Sequence, residues 1–266
     1  MNEHCPICDD MGMIPAHTPH NPTDGARECG CRAPARVRKL LKNSMIPARY
    51  AEAALDNYET GFPGAHPSQQ AALLLAQRFV ADYPISAKGL GILLHGSIGT
   101  GKTHLAVGII RELMVRYATP CYFLDQQEFF KQIQFTYNSQ SSTTESEVLM
   151  PALEGEVLVL DDLGLMKLSD WTSATISLVL TRRYNSKLTT IVTTNYPNRE
   201  ALAMKRPPGD DEDSNVVPIN SHEQRRPEET LGDRITDRVL SRLQESSIPV
   251  GITGPDFRRT VKKARP

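Results

Sequence analysis

One short stretch of the sequence has the residue types and the spacing that hold nucleotide phosphates. It fills each fixed position of the pattern G-x-x-x-x-G-K-[ST] with Gly96, Ser97, Ile98, Gly99, Thr100, Gly101, Lys102 and Thr103, and His104 follows as a further candidate for nucleotide binding. An apolar strand precedes the loop and an amphipathic helix follows, so backbone amides at the helix start would face the phosphates. Lys102 is predicted to reach the terminal phosphates and Thr103 to ligate Mg²⁺. A glycine-rich turn without a ligand is the less favoured interpretation.

Polar side chains end two apolar strands farther along the chain. Asp161 and Asp162 follow the run 157–160, and Asn195 follows the run 190–194. Ligands of open α/β sheets bind beyond the carboxyl ends of the strands, so these groups should converge on the phosphate loop. We expect Asp161 to anchor Mg²⁺, Asp162 to act as general base, and Asn195 to position a water molecule. An ordinary turn would also explain two aspartates at a strand end.

Alternating strands and helices supply the frame for these groups. The strand candidates are residues 90–94, 121–124, 157–160, 190–194 and 248–252; the helix candidates are 33–42, 67–82, 103–117, 128–137, 171–184 and 234–243. This order predicts an α/β fold, a five-stranded parallel sheet flanked by helices. The residues expected on buried helix faces are Leu74, Leu75, Phe79, Ala106, Ile109, Ile110, Leu113, Met114 and Tyr117.

Composition bounds the classes of function that are open. The chain has 266 residues, of which 39% are hydrophobic and 23% charged, and its formal net charge is −1. These values are typical of a soluble globular protein and exclude a global basic field, so any nucleic acid would bind a local patch. The N-terminus lacks the apolar core of a secretory signal, and no apolar run is long enough for a membrane span. We therefore expect a cytoplasmic protein.

Four cysteines cluster near the N-terminus and predict a zinc site. Cys5 and Cys8 form one pair and Cys29 and Cys31 another, and four thiolates suit tetrahedral Zn²⁺. Free thiols or a redox pair are the alternatives, whereas Cys121 is expected in the core. We predict a zinc-binding module at 1–32, a basic helix and linker at 33–66, and an ATPase domain at 67–266. In that domain, 138–146 is expected to be a mobile loop and the insertion 205–230 to be disordered.

Four segments of the chain, at 90–106, 160–164, 193–197 and 231–238, resemble the DnaC/IstB branch of AAA+ ATPases. That resemblance implies a P-loop AAA+ core and ATP hydrolysis, and it makes Asn195 the residue that senses the terminal phosphate. It also implies that Arg234 or Arg238, with Arg234 preferred, acts on the ATP of a neighbouring subunit in a homo-oligomer. Arg258, or its neighbour Arg259, matches a terminal nucleotide-sensing arginine. The chain departs from the family in its short C-terminal tail and in the long insertion.

The same branch contains replicative helicase loaders and transposition helper ATPases, and its members assemble on DNA. The leading hypothesis is a loader-like replication accessory protein that assembles on single-stranded DNA and contacts the helicase through its N-terminal module. The alternatives are a transposition helper ATPase and an adaptor that binds ATP without hydrolysing it. Segment 126–153 resembles the family's helical insertion, and the residues in it that could contact DNA are Phe130, Lys131 and Tyr137. Both rings could instead be core residues, and the basic helix and the tail are further candidates.

Overall fold

The structure is a computed structural model that describes residues 13–15, 26–28, 33–83, 85, 89–138, 143–166, 169–199 and 229–261. The predicted zinc ligands Cys5, Cys8, Cys29 and Cys31 lie outside these residues, as does 205–228 of the insertion expected to be disordered. Near the N-terminus, strand β1 (Met13–Pro15) pairs antiparallel with β2 (Ala26–Glu28).

The main sheet has five strands, all parallel, as expected from the sequence. They are β3 (Gly91–Gly96), β4 (Cys121–Asp125), β5 (Val157–Asp161), β6 (Thr189–Thr194) and β7 (Ser247–Ile252). Their order across the sheet is β4-β5-β6-β3-β7, which places β3 between β6 and β7. Every residue of β5 and β6 is buried, because helices cover both faces of a parallel sheet.

Helices cover the sheet on its two faces. Those described are α1 (Ala33–Asn43), α2 (Pro67–Asp82), α3 (Lys102–Tyr117), α4 (Gln126–Thr136), α5 (Glu145–Glu154), α6 (Asp170–Asn185), α7 (Leu231–Ile235), α8 (Asp237–Ser246) and α9 (Phe257–Thr260), with a 3-10 turn at Ala48–Tyr50. Capping explains several starts: the side chain of His66 caps α2, and those of Ser169 and Thr230 cap α6 and α7. Within the described residues, every helix is too short or too polar to cross a bilayer.

Alternation along β3 divides the hydrophobic core into two clusters. Ile92 and Leu94 pack with α2 and α3, whereas Leu93 packs with α4, α6 and α8 on the opposite face. The segment after α1 joins the first cluster, since Leu55 and Tyr58 are buried against α3. The stretch expected to link two units therefore contributes side chains to the core.

Three local expectations differ from the structure. The helix predicted at 234–243 is two helices, because Thr236 adopts φ 76° and interrupts the hydrogen-bonded ladder between α7 and α8. The loop predicted at 138–146 is wrong only at its end, where α5 begins at Glu145 with a first turn fixed by a reciprocal cap between Thr144 and Glu147. Leu74 and Tyr117 are 56% and 38% exposed, because the buried stripes of α2 and α3 are narrower than the apolar pattern.

Candidate functional site

The loop between β3 and α3 has the backbone geometry of a phosphate cradle. Gly96, Gly99 and Gly101 have φ values of 128°, 77° and 86°, which residues with a side chain rarely adopt. Lys102 then begins α3, so the free amides of the first helical turn lie next to the loop. A helix of 16 residues adds a positive dipole end at the same place. The local sequence therefore builds a site for an anion.

The ammonium group of Lys102 lies inside this loop. Its Nζ donates hydrogen bonds to the backbone oxygens of Gly96, at 3.0 Å, and Ser97, at 2.7 Å. Only 5% of the residue is exposed, and burial lowers the pKa of Lys102 to about 8. A buried ammonium that has only neutral acceptors gains strongly from an anion, because the anion restores the lost solvation of the charge. The loop and its lysine thus fit phosphate oxygens.

Asp161 and Thr103 meet beside that lysine and fit a divalent cation. Thr103 Oγ1 donates to Asp161 Oδ1 at 2.9 Å, and Thr193 Oγ1 donates to the same oxygen at 2.6 Å. Asp161 Oδ2 is buried and has no hydrogen-bond partner among the described residues. Burial raises the pKa of Asp161 to about 6. A lone buried carboxylate oxygen beside a hydroxyl is the oxygen donor set that Mg²⁺ accepts, so Thr103 and Asp161 would hold the ion.

Asp162 and Asn195 lie together at the ends of adjacent strands. Asn195 Nδ2 donates to Asp162 Oδ1 at 3.3 Å, and the backbone amide of Asp162 donates to Thr193 Oγ1 at 2.9 Å. Burial, with a smaller contribution from Asp125, raises the pKa of Asp162. A carboxylate whose pKa moves towards neutrality is suited to accept a proton from water. The amide and the carboxylate are therefore close enough together to bind the same water molecule.

Asp125 is a site residue that the sequence analysis missed. One carboxylate oxygen from each of Asp125, Asp161 and Asp162 lies within 4.8 Å of the others, and Asp125 is the register partner of Asp161 in the sheet. Asp125 also caps α4, since its Oδ1 accepts from the amides of Gln127 and Glu128 at 2.9 and 3.0 Å. Its signal was an aspartate that ends an apolar strand, as Asp161 does. We therefore count it as part of the acidic edge of the sheet.

The two further candidates for nucleotide binding, His104 and Arg258, have different surroundings. His104 Nε2 is 2.9 Å from Ala54 O and 2.8 Å from Asn57 Oδ1, so its ring is engaged with the segment before α2. Arg258 is 67% exposed in its side chain and pairs with Asp256 at 3.2 Å. The backbone amide of Phe257 donates to Gly99 O at 3.0 Å, which places Arg258, the next residue, near the phosphate loop.

The two candidate arginines after β6 have different surroundings. Arg234 is 14% exposed in its side chain, and its guanidinium donates to the backbone oxygens of Gly164 and Leu165. Arg238 is exposed, and within the described part of the chain it makes no hydrogen bond or ion pair. The first side chain is held by its own subunit, and the second is available to another molecule.

The structure buries one of the three residues considered for DNA contact and exposes the other two. Phe130 is 1% exposed, so it is a core residue, as the alternative interpretation had it. Tyr137 is 60% exposed and Lys131 is exposed on the same helical segment. Trp171, which the sequence analysis did not single out, is 37% exposed, and its ring lies 6.4 Å from that of Tyr137. Two exposed rings and a lysine therefore lie on the α4–α6 side of the sheet.

Known proteins resemble this chain in sequence and in fold. The model of a family described as IstB-like ATP binding protein matches residues 26–204. The replicative helicase loader DnaC of Escherichia coli (strain K12) is 25% identical over 160 residues, which cover 60% of this chain and 62% of that protein. The protein of the same name from Buchnera aphidicola subsp. Acyrthosiphon pisum is 22% identical over 164 residues, covering 62% and 64%. The match therefore spans less than two thirds of either relative.

A solved structure agrees with these sequence matches. The crystal structure of the DnaC helicase loader superposes with a TM-score of 0.58 at 28% sequence identity, and the match covers 78% of this chain and all of that one. The expected α/β P-loop fold of the AAA+ type and the resemblance to the DnaC/IstB branch are thereby confirmed. The phosphate loop, Asp161 and Asn195 all lie within the range that the family model covers.

Proposed function

This chain belongs to the IstB-like ATP binding protein family, and from that premise we propose that it hydrolyses ATP as an accessory protein that loads a replicative helicase. One observation carries the proposal: Thr103 Oγ1 lies 2.9 Å from Asp161 Oδ1, beside a buried Lys102, and Asp161 Oδ2 has no partner among the described residues. A protein that needed only a stable turn there would not bury an unpaired carboxylate oxygen, which costs free energy.

Substrate binding exchanges partners at the phosphate loop. Lys102 leaves the oxygens of Gly96 and Ser97 and donates to the terminal phosphates, while the amides around Gly99 and Gly101 face the same charge. Mg²⁺, when bound at Thr103 and Asp161, supplies charge neutralisation for the phosphate oxygens. The free energy of binding comes from restoring electrostatic partners to groups that the apo protein has already desolvated.

Hydrolysis then depends on Asp162 and Asn195. Asn195 orients a water molecule by hydrogen bonding, and Asp162 accepts its proton as the water oxygen bonds to the terminal phosphorus and the bond to the leaving diphosphate breaks. The raised pKa of Asp162 makes its carboxylate a better base than an exposed aspartate. Arg258 is the candidate for sensing the bound nucleotide, since the amide of the preceding residue, Phe257, is bonded to Gly99 O of the phosphate loop.

Assembly of several subunits completes the site. We propose that an arginine of the segment 231–238 reaches the ATP of a neighbouring subunit, which makes hydrolysis depend on a homo-oligomer. Arg238 is the better candidate because it is exposed and unpaired within the described residues. An arginine supplied in this way contributes about 10³–10⁵ to the rate in dissected GTPase systems. ATP would thereby control assembly.

Single-stranded DNA is the proposed surface on which the subunits assemble. Exposed aromatic rings stack on bases without regard to sequence, and lysines contact phosphates. Tyr137, with Lys131 on the same segment and Trp171 beside it, offers this combination. The N-terminal cysteine module is proposed to hold zinc through Cys5, Cys8, Cys29 and Cys31 and to contact the helicase.

Two other functions share this ATP site. A transposition helper ATPase would use the same groups with a transposase as partner, and the match to the IstB-like family favours that alternative. The DnaC relatives favour the loader. Capture by a purified replicative helicase, compared with capture by a transposase, distinguishes the helicase loader from the transposition helper.

A non-hydrolysing adaptor would bind ATP but would not need Asp162 and Asn195 in contact.

The test of ATP hydrolysis replaces the lysine of the loop. We expect Lys102→Ala to lose ATP binding, measured with a fluorescent ATP analogue, and to lose phosphate release, because no other described ammonium lies in the loop. Lys187→Ala, at an exposed lysine outside the site, is the matched control and should behave like the unaltered chain. Phosphate release is measured with and without single-stranded DNA.

The outcomes distinguish the alternatives. Unchanged turnover in Lys102→Ala contradicts the assigned site. ATP binding with background turnover in the presence of single-stranded DNA supports the adaptor, and turnover that single-stranded DNA does not affect contradicts the proposed assembly on DNA.

A further inference from the structure

Arg234 connects three segments around the ATP site of its own subunit. Its Nε donates to Gly164 O at 2.7 Å and its Nη2 to Leu165 O at 2.9 Å, while Nη1 pairs with Glu229 at 3.1 Å. A guanidinium offers several donors in a fixed plane, so one side chain can satisfy neighbouring carbonyls and a carboxylate together. These contacts fix both the side chain and the loop that it bonds.

An aromatic ring holds the same guanidinium from another direction. The Cζ atom of Arg234 lies 4.8 Å from the ring centroid of Tyr196, within the range of a cation–π interaction. Gly164 is packed so closely here that a Cβ atom on it would lie 3.1 Å from the Tyr196 ring and 3.2 Å from Arg234 Cβ. The ring, the glycine and the arginine therefore form one tightly packed unit.

Two of the three segments that meet at Arg234 carry the chemistry. Gly164 and Leu165 follow Asp161 and Asp162 at the end of β5, and Tyr196 follows Asn195 at the end of β6. On the side of the ATP site, the two segments meet through the hydrogen bond of 3.3 Å between Asn195 and Asp162. The strand ends behind this contact are also joined by hydrogen bonds from Leu163 N to Thr193 O at 2.8 Å and from Thr194 Oγ1 to Leu163 O at 2.7 Å. Arg234, on α7 directly before α8, joins the two segments at a further point beyond these bonds.

We propose that Arg234 is a positioning residue that acts on the ATP site of its own subunit, unlike the exposed Arg238, the candidate for the neighbour's ATP. The proposal rests on the proposed ATP hydrolysis by an oligomer. Arg234 holds the segments after β5 and β6 in the arrangement in which Asn195 contacts Asp162. An arginine in four contacts within its own chain would have to break them to reach another subunit, whereas Arg238 would not.

Mixing variants distinguishes action within a subunit from action across the interface. Asp162→Asn subunits keep the groups that bind ATP and so can assemble, but they cannot hydrolyse it, and they still present intact arginines to a neighbour. Mixed with Arg238→Ala, they complete the sites of that variant, so phosphate release should recover from the level of either variant alone. Mixed with Arg234→Ala, they should give no recovery, because each site then lacks Asp162 or Arg234 in the same subunit.

The outcomes of the mixing experiment that would contradict the proposal are distinct. Recovery with Arg234→Ala overturns the proposal, because it shows Arg234 acting across the interface. Absence of recovery in both mixtures overturns the division of roles between the two arginines. If the unaltered chain hydrolyses no ATP, the proposed function itself fails, and that result is visible before any variant is mixed.

Kinetics separate positioning from general damage to the fold. We expect Arg234→Ala to keep its affinity for ATP within a few-fold and to lose about 10- to 100-fold in kcat, as misplaced catalytic groups do. Arg234→Lys should recover little of that loss, because an ammonium lacks the planar fork. Arg242→Ala is the matched control, since Arg242 bonds Thr181 on α6 and contacts neither segment. Equal loss of ATP affinity and kcat in both Arg234 variants contradicts positioning.

A double variant tests whether Arg234 affects hydrolysis through Asn195. If Arg234 acts through Asn195, then Arg234→Ala combined with Asn195→Ala should lower kcat about as much as the more damaging single variant. Multiplicative losses would overturn the route through Asn195. Thermal unfolding of each variant, compared with Arg242→Ala, identifies any chain that has failed to fold, and Arg234→Lys then carries the comparison.

Discussion

Asp161 is kept in a position that costs the folded protein stability. It is fully buried, its Oδ2 has no partner among the described residues, and burial raises its pKa to about 6. An aspartate in the unfolded chain has its ordinary pKa of about 3.8. Between pH 3.8 and about 6, Asp161 holds its proton in the folded state but loses it in the unfolded state. The free energy of unfolding therefore falls as the pH rises through this range. The bound cation would offset this cost.

We therefore expect Asp161→Asn to stabilise the nucleotide-free protein while it abolishes Mg²⁺-dependent hydrolysis. The asparagine keeps an acceptor for Thr103 and Thr193 but carries no charge, so the free energy of unfolding should rise by about 1–3 kcal/mol at pH 8. The gain should shrink as the pH falls from 8 to 5, because Asp161 itself becomes protonated. Urea unfolding at both pH values measures it. A gain that does not depend on pH would contradict the electrostatic explanation.

At the scale of elements, α3 and the segment before α2 approach each other closely at Gly108. An ideal Cβ atom on Gly108 would lie 2.8 Å from Leu55 Cδ2 and 3.0 Å from the Leu55 backbone nitrogen. Helix propensity alone favours alanine over glycine by about 1 kcal/mol. The side chain of Leu55 could move, but its backbone cannot do so without shifting the segment that also carries Tyr58. Packing therefore opposes propensity at this position.

Gly108→Ala is expected to destabilise the protein despite its better helix propensity. Overpacking in a core costs about 1–3 kcal/mol, so a net loss of about 1 kcal/mol in the free energy of unfolding should remain. Gly61→Ala is the control, since nothing lies within 4 Å of the Cβ position there, and it should change stability by less than about 0.5 kcal/mol. Urea unfolding of both variants gives the comparison. A stabilised Gly108→Ala protein would show that the segment at Leu55 adapts freely.

At the scale of the whole molecule, we propose that the chain joins its P-loop core to a small cysteine-rich module. The antiparallel ladder pairs Met13 with Glu28; in the sequence, Met13 comes five residues after Cys8, and Glu28 directly precedes Cys29. Such short strands are not stable on their own in water, so a further source of folding free energy is required. Zinc supplies about 10 kcal/mol or more in comparable peptides. The short ladder is thus consistent with the zinc site that the cysteine spacing predicts.

The full chain, purified without chelator, should contain one zinc ion per molecule by elemental analysis. We expect the double variant Cys5→Ser, Cys8→Ser to lose the metal, because two thiolates remain. Cys121→Ala is the matched control and should keep it, since Cys121 is buried on β4 and its Sγ donates to Thr119 O. Four reactive thiols per native chain, with no zinc, would contradict the site, since Cys121 is buried and does not react until the chain unfolds.

The sequence by itself determined the architecture and the phosphate-binding chemistry. Strand and helix patterns repeat over many residues, and the loop from Gly96 to Thr103 is contiguous, so local order suffices to identify both. Asp161 and Asn195 also ended strands whose direction in a parallel sheet was predictable. By contrast, the split of the last long helix at Thr236 was not predictable, because a single positive φ leaves no periodic signal.

Only the tertiary structure decided which side chains meet. It brought Asp125 to Asp161 across neighbouring strands and buried Phe130 under Trp171. It also separated Arg234 from Arg238, two arginines four positions apart whose surroundings are unlike. The physical reason is that the burial and the partners of a side chain depend on residues far away in the chain. Gly164, Leu165 and Tyr196 contact Arg234, and the sequence of α7 alone does not predict these contacts.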